Sequence, residues 1–199
     1  VAVPEKQPKG RAVMLGYAFC GSFCTHAKAL RELEGLLAAG YEIQPIMSET
    51  VYSTDTRFGR AADLRERVET LTGKPILHSI VDTEPLGPRL RLDALIVSPC
   101  TGNTLAKIAN GITDTAVCMA AKAHLRSDRP LILALASNDA LSANLRNIGI
   151  LLSRKHIYFV PMVQDDPEGK PHSLVADFSC LPRTLESALA GRQERRLFL

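Results

Sequence analysis

Three stretches of the chain gather glycine, hydroxyl and amide side chains where an apolar run gives way to a helical pattern. They are Gly21, Ser22 and Thr25; then Ser48 and Thr50; then Thr101, Gly102, Asn103 and Thr104. Ser137-Asn138-Asp139 closes a further apolar run. This chemistry suits a phosphate: glycine lets the backbone approach, a helix N-terminus turns free N–H groups outward, and hydroxyls add donors. Taken singly, each Ser, Thr or Asn is equally an ordinary helix cap. Three such loops converging on one crevice shift the balance towards an anion. The chain has no G-x-x-x-x-G-K-[ST] stretch, and Gly16 with Gly21 does not make G-x-G-x-x-G. That points to a mononucleotide or flavin phosphate rather than ATP or a dinucleotide pyrophosphate.

Cysteine and histidine offer less. Cys20 and Cys24 stand at C-x3-C spacing and no second pair accompanies them, so a zinc site is not expected. Cys100 sits between Pro99 and Thr101 at a helix start, where a thiolate would be stabilised. It reads either as a nucleophile or as a small buried residue packed against a ligand. The five histidines form no spacing with an acid or nucleophile that marks a catalytic set.

The elements that must carry these loops follow from periodicity. Apolar runs at 12–18, 41–47, 75–81, 92–97, 131–136 and 157–160 read as strands. Between them, helical patterns run over 26–39, 61–71, 104–109, 116–125, 142–153 and 183–190. Leu30, Leu33 and Leu37 mark the first apolar stripe, and Gly40 supplies its stop. Strand, loop and helix alternate, which predicts a three-layer α/β/α sandwich around a parallel sheet. In such sheets ligands bind at the carboxyl ends of the strands, where the loops named above lie.

Composition agrees with one soluble domain. The chain has 199 residues, 46% hydrophobic and 23% charged, with 24 Lys+Arg against 21 Asp+Glu. The net charge of +3 is spread along the chain apart from the tail 192–196, which gives no nucleic-acid footprint. No apolar run approaches the roughly 20 residues of a membrane span. Five cysteines, an odd number, argue against a secreted disulfide framework and for a reduced, cytoplasmic setting. Residues 1–10 read as a flexible arm without a signal-type apolar run, leaving 11–199 as one domain.

Residues 98–114, Ser-Pro-Cys-Thr-Gly-Asn-Thr-Leu-Ala-Lys-Ile-Ala-Asn-Gly-Ile-Thr-Asp, resemble the P-A-T-A-N-T…K…G-I-A-D segment of the FMN-binding flavoproteins, the family that includes the homo-oligomeric flavin-containing cysteine decarboxylases. Further segments at 54–59, 84–88, 137–139, 158–161 and 164–167 resemble one branch of that family, and the likeness runs from about Gly16 to Ala190. The resemblance implies a flavodoxin-like or Rossmann-like parallel sheet, FMN as cofactor and a homo-oligomer. For that branch it further implies a part in making dipicolinic acid during sporulation, in the mother-cell cytoplasm, together with a separate nicotinamide-binding subunit. Carried over by position, Gly21, Ser22, Ser48 and Thr50 would hold the FMN phosphate. Pro99, Cys100, Thr101, Gly102, Asn103 and Thr104 would line phosphate, ribityl and ring, with Ser137 and Asn138 meeting the flavin from a further loop.

The departures bear on the reaction. The histidine that the decarboxylases carry before their central strand has no counterpart in residues 84–88, and residues 165–174 lack their clamp cysteine. Ser137-Asn138-Asp139 replaces their P-x-M-N motif. Decarboxylation therefore fits less well than oxidation of a dihydropyridine dicarboxylate, in which the protein holds the substrate's carboxylates. Arginine suits that task, since its planar fork pairs both oxygens. Arg57, beside Phe58, is the first candidate, with Lys122 and Arg126 behind it. The alternative is a non-catalytic partner that organises the nicotinamide-dependent subunit.

Overall fold

The structure is a computed structural model that describes residues 12–87 and 89–199. The arm expected at 1–10 lies outside the described residues. In chain order the elements are β1 (Met14–Phe19), α1 (His26–Ala38), β2 (Glu42–Met47), α2 (Glu49–Ser53), α3 (Ala61–Thr72), α4 (Ile80–Thr83), β3 (Ala94–Cys100) and α5 (Gly102–Asn110). The second half adds α6 (Ala116–Leu125), β4 (Leu131–Ser137), α7 (Leu145–Leu152), β5 (Ile157–Phe159), β6 (Met162–Val163), β7 (Leu174–Ala176) and α8 (Leu181–Leu189). Short 3-10 turns stand at Phe23–Thr25 and Phe178–Cys180.

Five strands pair in parallel in the order β2-β1-β3-β4-β5, the flavodoxin-like order. All seven residues of β3 are buried, as its unbroken apolar run requires of a strand covered on both faces. Alternate residues feed two cores. Leu95 and Val97 of β3 pack with Leu105, Val117 and Ile148 under α5, α6 and α7. Ala94 and Ile96 pack with Leu30, Leu33, Val68 and Leu185 under α1, α3 and α8. The three expected layers are present.

The sheet is mixed rather than wholly parallel. β7 runs antiparallel to β4, pairing Ala136 with Val175, and β6 runs antiparallel to β7. These strands have three and two residues, too short to leave a period in the sequence, and they occupy what reads as loop. Residues 75–81 do not form the expected strand either. Leu77 makes a single bridge to Ile46, after which Ser79 and Asp82 close a reciprocal capping box and start α4. The helix expected over 142–153 begins at Leu145, because the Asp139 carbonyl gathers the amides of Ser142 and Asn144 into a turn.

Candidate functional site

The carboxyl ends of β1, β3 and β4 open on one cleft of about 1120 Å³, a volume ample for a cofactor together with a small substrate. Its first wall is the turn after β1. The Cys20 amide donates to the Pro99 carbonyl at 3.2 Å, which fixes the start of that turn against β3. His26 Nε2 lies 2.8 Å from the Cys20 carbonyl, and burial holds its ring below the ordinary histidine range, so the neutral ring donates there. Thr25 donates twice to the Ser22 carbonyl, through its amide at 3.0 Å and its hydroxyl at 2.8 Å. Among the described residues, the amides of Gly21, Ser22, Phe23 and Cys24 find no acceptor. Four successive free donors at the mouth of a cleft make a nest for an anion.

The second wall is the start of α5. Thr101 caps it, accepting from the Thr104 amide at 3.2 Å, so the cap hydroxyl is already engaged with the helix. The amides of Gly102 and Asn103, in the first turn of a nine-residue helix, also lack an acceptor among the described residues. Thr104 is turned inward and its hydroxyl donates to Cys20 Sγ at 3.3 Å, tying the first two walls together. The Lys-x6-Asp part of this segment is an ion pair: Lys107 Nζ lies 2.9 Å from Asp114 Oδ1 and 3.0 Å from Oδ2.

The third wall is the turn after β4. The Ser137 hydroxyl donates to Asp139 Oδ1, and Asn144 Nδ2 donates to Asp139 Oδ2 at 2.9 Å. These bonds, the Ser137 one first, hold the Asp139 carboxyl below its usual range. The turn packs on Gly102 so closely that a Cβ there would come within 2.7 Å of both Asn144 Nδ2 and Asp139 Oδ1. Glycine is required at this contact.

Of the residues singled out from sequence, Gly21, Ser22, Arg57, Thr101, Gly102, Ser137 and Asn138 all line this cleft. Others serve the frame around it. Ser48 caps α2, accepting from the Val51 amide at 3.3 Å, and Thr50 is exposed on that short helix. Pro99 is buried with its carbonyl spent on Cys20, Thr104 is buried, and Asn103 is exposed beside Gly102. Lys122 and Arg126 stand apart. α6 begins at the carboxyl edge, where its Ala116 amide donates to Glu49 Oε1 at 2.9 Å, and runs back until His124 meets the Pro130 carbonyl ahead of β4. Both residues therefore sit at the edge of the sheet opposite the cleft.

The nucleophile reading of Cys100 is corrected. Its side chain is fully buried, and that burial pushes the thiol well above its ordinary range, with the neighbouring Cys20 and Cys118 adding to the effect. The low-dielectric packing outweighs any help from the helix start, so the thiol stays protonated and packs in the core. All five cysteines are free, and only Cys24 is exposed. Among the described residues no group of three His, Cys, Asp or Glu gathers as a metal ion would need. No helix among them is long and apolar enough to cross a membrane.

Sequence reasoning missed two parts of the wall. Lys28, Arg31 and Glu32 of α1 line the cleft, as do Asp177, Phe178 and Ser179. The first group was available as the polar face opposite Ala29, Leu30 and Leu33. The second is delivered by the antiparallel pairing of β7 with β4, which left no signal. Burial raises the Glu32 carboxyl above its usual range, whereas the Ser179 hydroxyl holds that of Asp177 below it.

The Flavoprotein family profile matches residues 3–177. The B subunit of dipicolinate synthase from Bacillus subtilis (strain 168) is 44% identical over 185 residues, which cover 93% of this chain and 92% of that protein. The crystal structure of the corresponding dipicolinate synthase chain from Bacillus halodurans C superposes with a TM-score of 0.86 at 40% identity, over 94% of this chain and 96% of that one. A dodecameric FMN-dependent UbiX-like decarboxylase from Escherichia coli O157:H7 gives a TM-score of 0.59 at 24% identity, over 75% and 80% of the two chains, a likeness of fold.

Proposed function

The chain belongs to the flavoprotein family, and from that membership we propose that it is the FMN-binding subunit of a dipicolinate synthase, taking part in the oxidation of a dihydrodipicolinate-type precursor to dipicolinic acid. The observation that carries this reading is the row of acceptor-free amides at Gly21–Cys24 facing the start of α5 across one cleft. The donor set fits the group. A phosphate needs several N–H donors and close backbone approach, and the cleft supplies both without a built-in carboxylate in that row. Gly21, Ser22, Thr101, Gly102, Ser137 and Asn138 would hold FMN, while Ser48, Thr50, Pro99, Cys100, Asn103 and Thr104 support them or extend the contacts.

Aromatising a dihydropyridine dicarboxylate removes two electrons and two protons, and bound FMN supplies an acceptor for a hydride. The chain's own share is binding and orientation. The Asp139 turn holds the third wall in place through Ser137 and Asn144. Arg57, at the rim, offers its guanidinium to a carboxylate, and Phe58 beside it offers an exposed apolar ring. A separate nicotinamide-binding subunit, self-association of this chain into a homo-oligomer and a place in the mother-cell cytoplasm complete the proposal.

The test is an anaerobic one. FMN is titrated into the purified chain and followed by quenching of flavin fluorescence, and the loaded protein is then mixed with dihydrodipicolinate generated in place. Bleaching of the oxidised flavin band is the expected result. Tight FMN binding without bleaching would move the redox step to the nicotinamide-binding partner, and absence of FMN binding would overturn the flavin reading altogether.

A further inference from the structure

The geometry points to a carboxylate-binding wall on α1, in which Lys28 and Arg31, with Arg57 on the rim, take the two carboxylates of a planar pyridine dicarboxylate. This inference rests on the proposed substrate class and assigns the residues that select it. Lys28 and Arg31 stand three residues apart on α1, so both project from one stripe of the helix. That stripe lines the cleft, while Ala29, Leu30 and Leu33 bury the opposite side in the core. Arg57 reaches the same cleft from the tight turn closed by Thr56 and Gly59.

What sets these cations apart is the state of the acids around them. Four acidic residues line the cleft. Asp139 is bonded to Ser137 and Asn144, Asp177 accepts from the Ser179 amide and hydroxyl, and Asp165 pairs with Lys170 at 3.5 Å. Each is satisfied within its own loop. Glu32 remains, on the same helix, with its carboxyl raised by partial burial against the opposing pull of the Arg31 charge beside it. Among the described residues, Lys28, Arg31 and Arg57 have no hydrogen-bond acceptor and no carboxylate within ion-pair distance. Arg57 has only the Phe58 ring, 4.8 Å from its guanidinium carbon. The cleft thus offers three cations without a hydrogen-bond or ion-pair partner among the described residues, Arg31 feeling only the charge of the adjacent Glu32, towards an incoming diacid. Two carboxylates on one planar ring need two cationic contacts, and α1 and the 56–59 turn supply them from two different elements. The acceptor-free amides of Gly21–Cys24 stay available for the phosphate, so the two anion classes do not compete for one set of donors.

Isothermal titration of the full chain, with and without FMN, tests the assignment, using dipicolinate as the diacid probe and pyridine-2-carboxylate as the single-carboxylate control. The wild-type chain is expected to favour the diacid about tenfold or more, the size of one charge-assisted contact. Arg31→Ala and Arg57→Ala should each lose about tenfold in diacid affinity, Lys28→Ala somewhat less, and Arg31→Lys should recover part of the loss. Lys155→Ala, an exposed cation ahead of β5, removes the same charge and should change nothing. FMN affinity and thermal melting of each variant are measured alongside, and both should stay at the wild-type level. Equal affinity for diacid and monoacid, or diacid binding indifferent to all three substitutions, would overturn the wall. Failure of the flavin reading shows separately, as a wild-type chain that binds no FMN while its FMN-free diacid titration still reads the three cations.

Discussion

The side-chain amide of Asn144 donates to Asp139 Oδ2 at 2.9 Å, and that bond is the first link of an amide chain that is buried at Asn144 and Asn147 and reaches the surface at Asn110. Asn147 Nδ2 donates to Asn144 Oδ1 at 2.8 Å, and Asn110 Nδ2 lies 3.4 Å from Asn147 Oδ1. The chain couples the cleft turn after β4 to the packed faces of α5 and α7. Asn144 and Asn147 are both buried, so removing one partner leaves another without water to replace it. Asn144→Ala should therefore cost about 1–3 kcal/mol in urea unfolding. It should also weaken FMN binding, because the Asp139 turn loses its anchor. Asn144→Asp should do worse on both counts by setting a second carboxylate against the first. A variant that unfolds and binds FMN like the wild type would show that the chain carries no energy.

Asp139 itself gives a pH signature. Its folded-state carboxyl is held below the ordinary value, chiefly by the Ser137 hydroxyl and then by Asn144. A depressed acid contributes stability that is fully present above its unfolded pKa and is lost as pH falls through the folded one. The loss attributable to Asp139 should start only below about pH 4, with nothing at neutral pH. Because Asp139 is only half-buried, the effect is small and partly screened by salt. Asp139→Asn should flatten part of the acid limb in melts taken from neutral pH downwards, and an unchanged acid limb would refute the coupling.

Gly102 and Gly149 should answer the same substitution with opposite signs. A Cβ at Gly102 would meet Ser137, Asn144 and Asp139 within 2.7 Å. Gly102→Ala should cost about 1–3 kcal/mol through overpacking, and should lower FMN affinity by displacing two walls of the cleft together. Gly149, inside α7, has nothing within 4 Å of a Cβ, so Gly149→Ala should gain about 0.5–1 kcal/mol from reduced backbone entropy. Paired thermal melts and flavin titrations decide both.

What could be read from the sequence was whatever depends on local chemistry. The unbroken apolar runs that became β1, β3 and β4 had to be buried on both faces, and the loops that follow such strands had to share an edge. Gly21, Ser22, Thr101, Gly102, Ser137 and Asn138 could therefore be gathered without coordinates, and they line one cleft. The misreadings arose where a short polar signal overrode an apolar run. Ser79 and Asp82 turned the end of an expected strand into α4, and two short antiparallel strands arose from what reads as a loop. Lys122 and Arg126 lie away from the cleft for a different reason. Residue type proposes an anion partner, but only the direction of α6 decides which edge of the sheet its last turn reaches.

The five thiols should react very unequally. Thiolate is the reactive form, so both access and proton affinity matter. Cys24 is exposed in the turn after β1, while Cys20, Cys100, Cys118 and Cys180 are buried. Burial pushes the Cys20 thiol up to about 12, and those of Cys100 and Cys118 also rise. Iodoacetamide near neutral pH should modify the native chain at Cys24 first, with the buried thiols following only on unfolding. Because Cys24 lines the cleft and its amide belongs to the acceptor-free row, bound FMN should slow that labelling and leave the buried sites untouched. Peptide mapping by mass spectrometry over a time course reads every site at once. Labelling of Cys100 at a rate matching Cys24 would restore it as a candidate nucleophile and would mean that β3 opens to solvent at its carboxyl end.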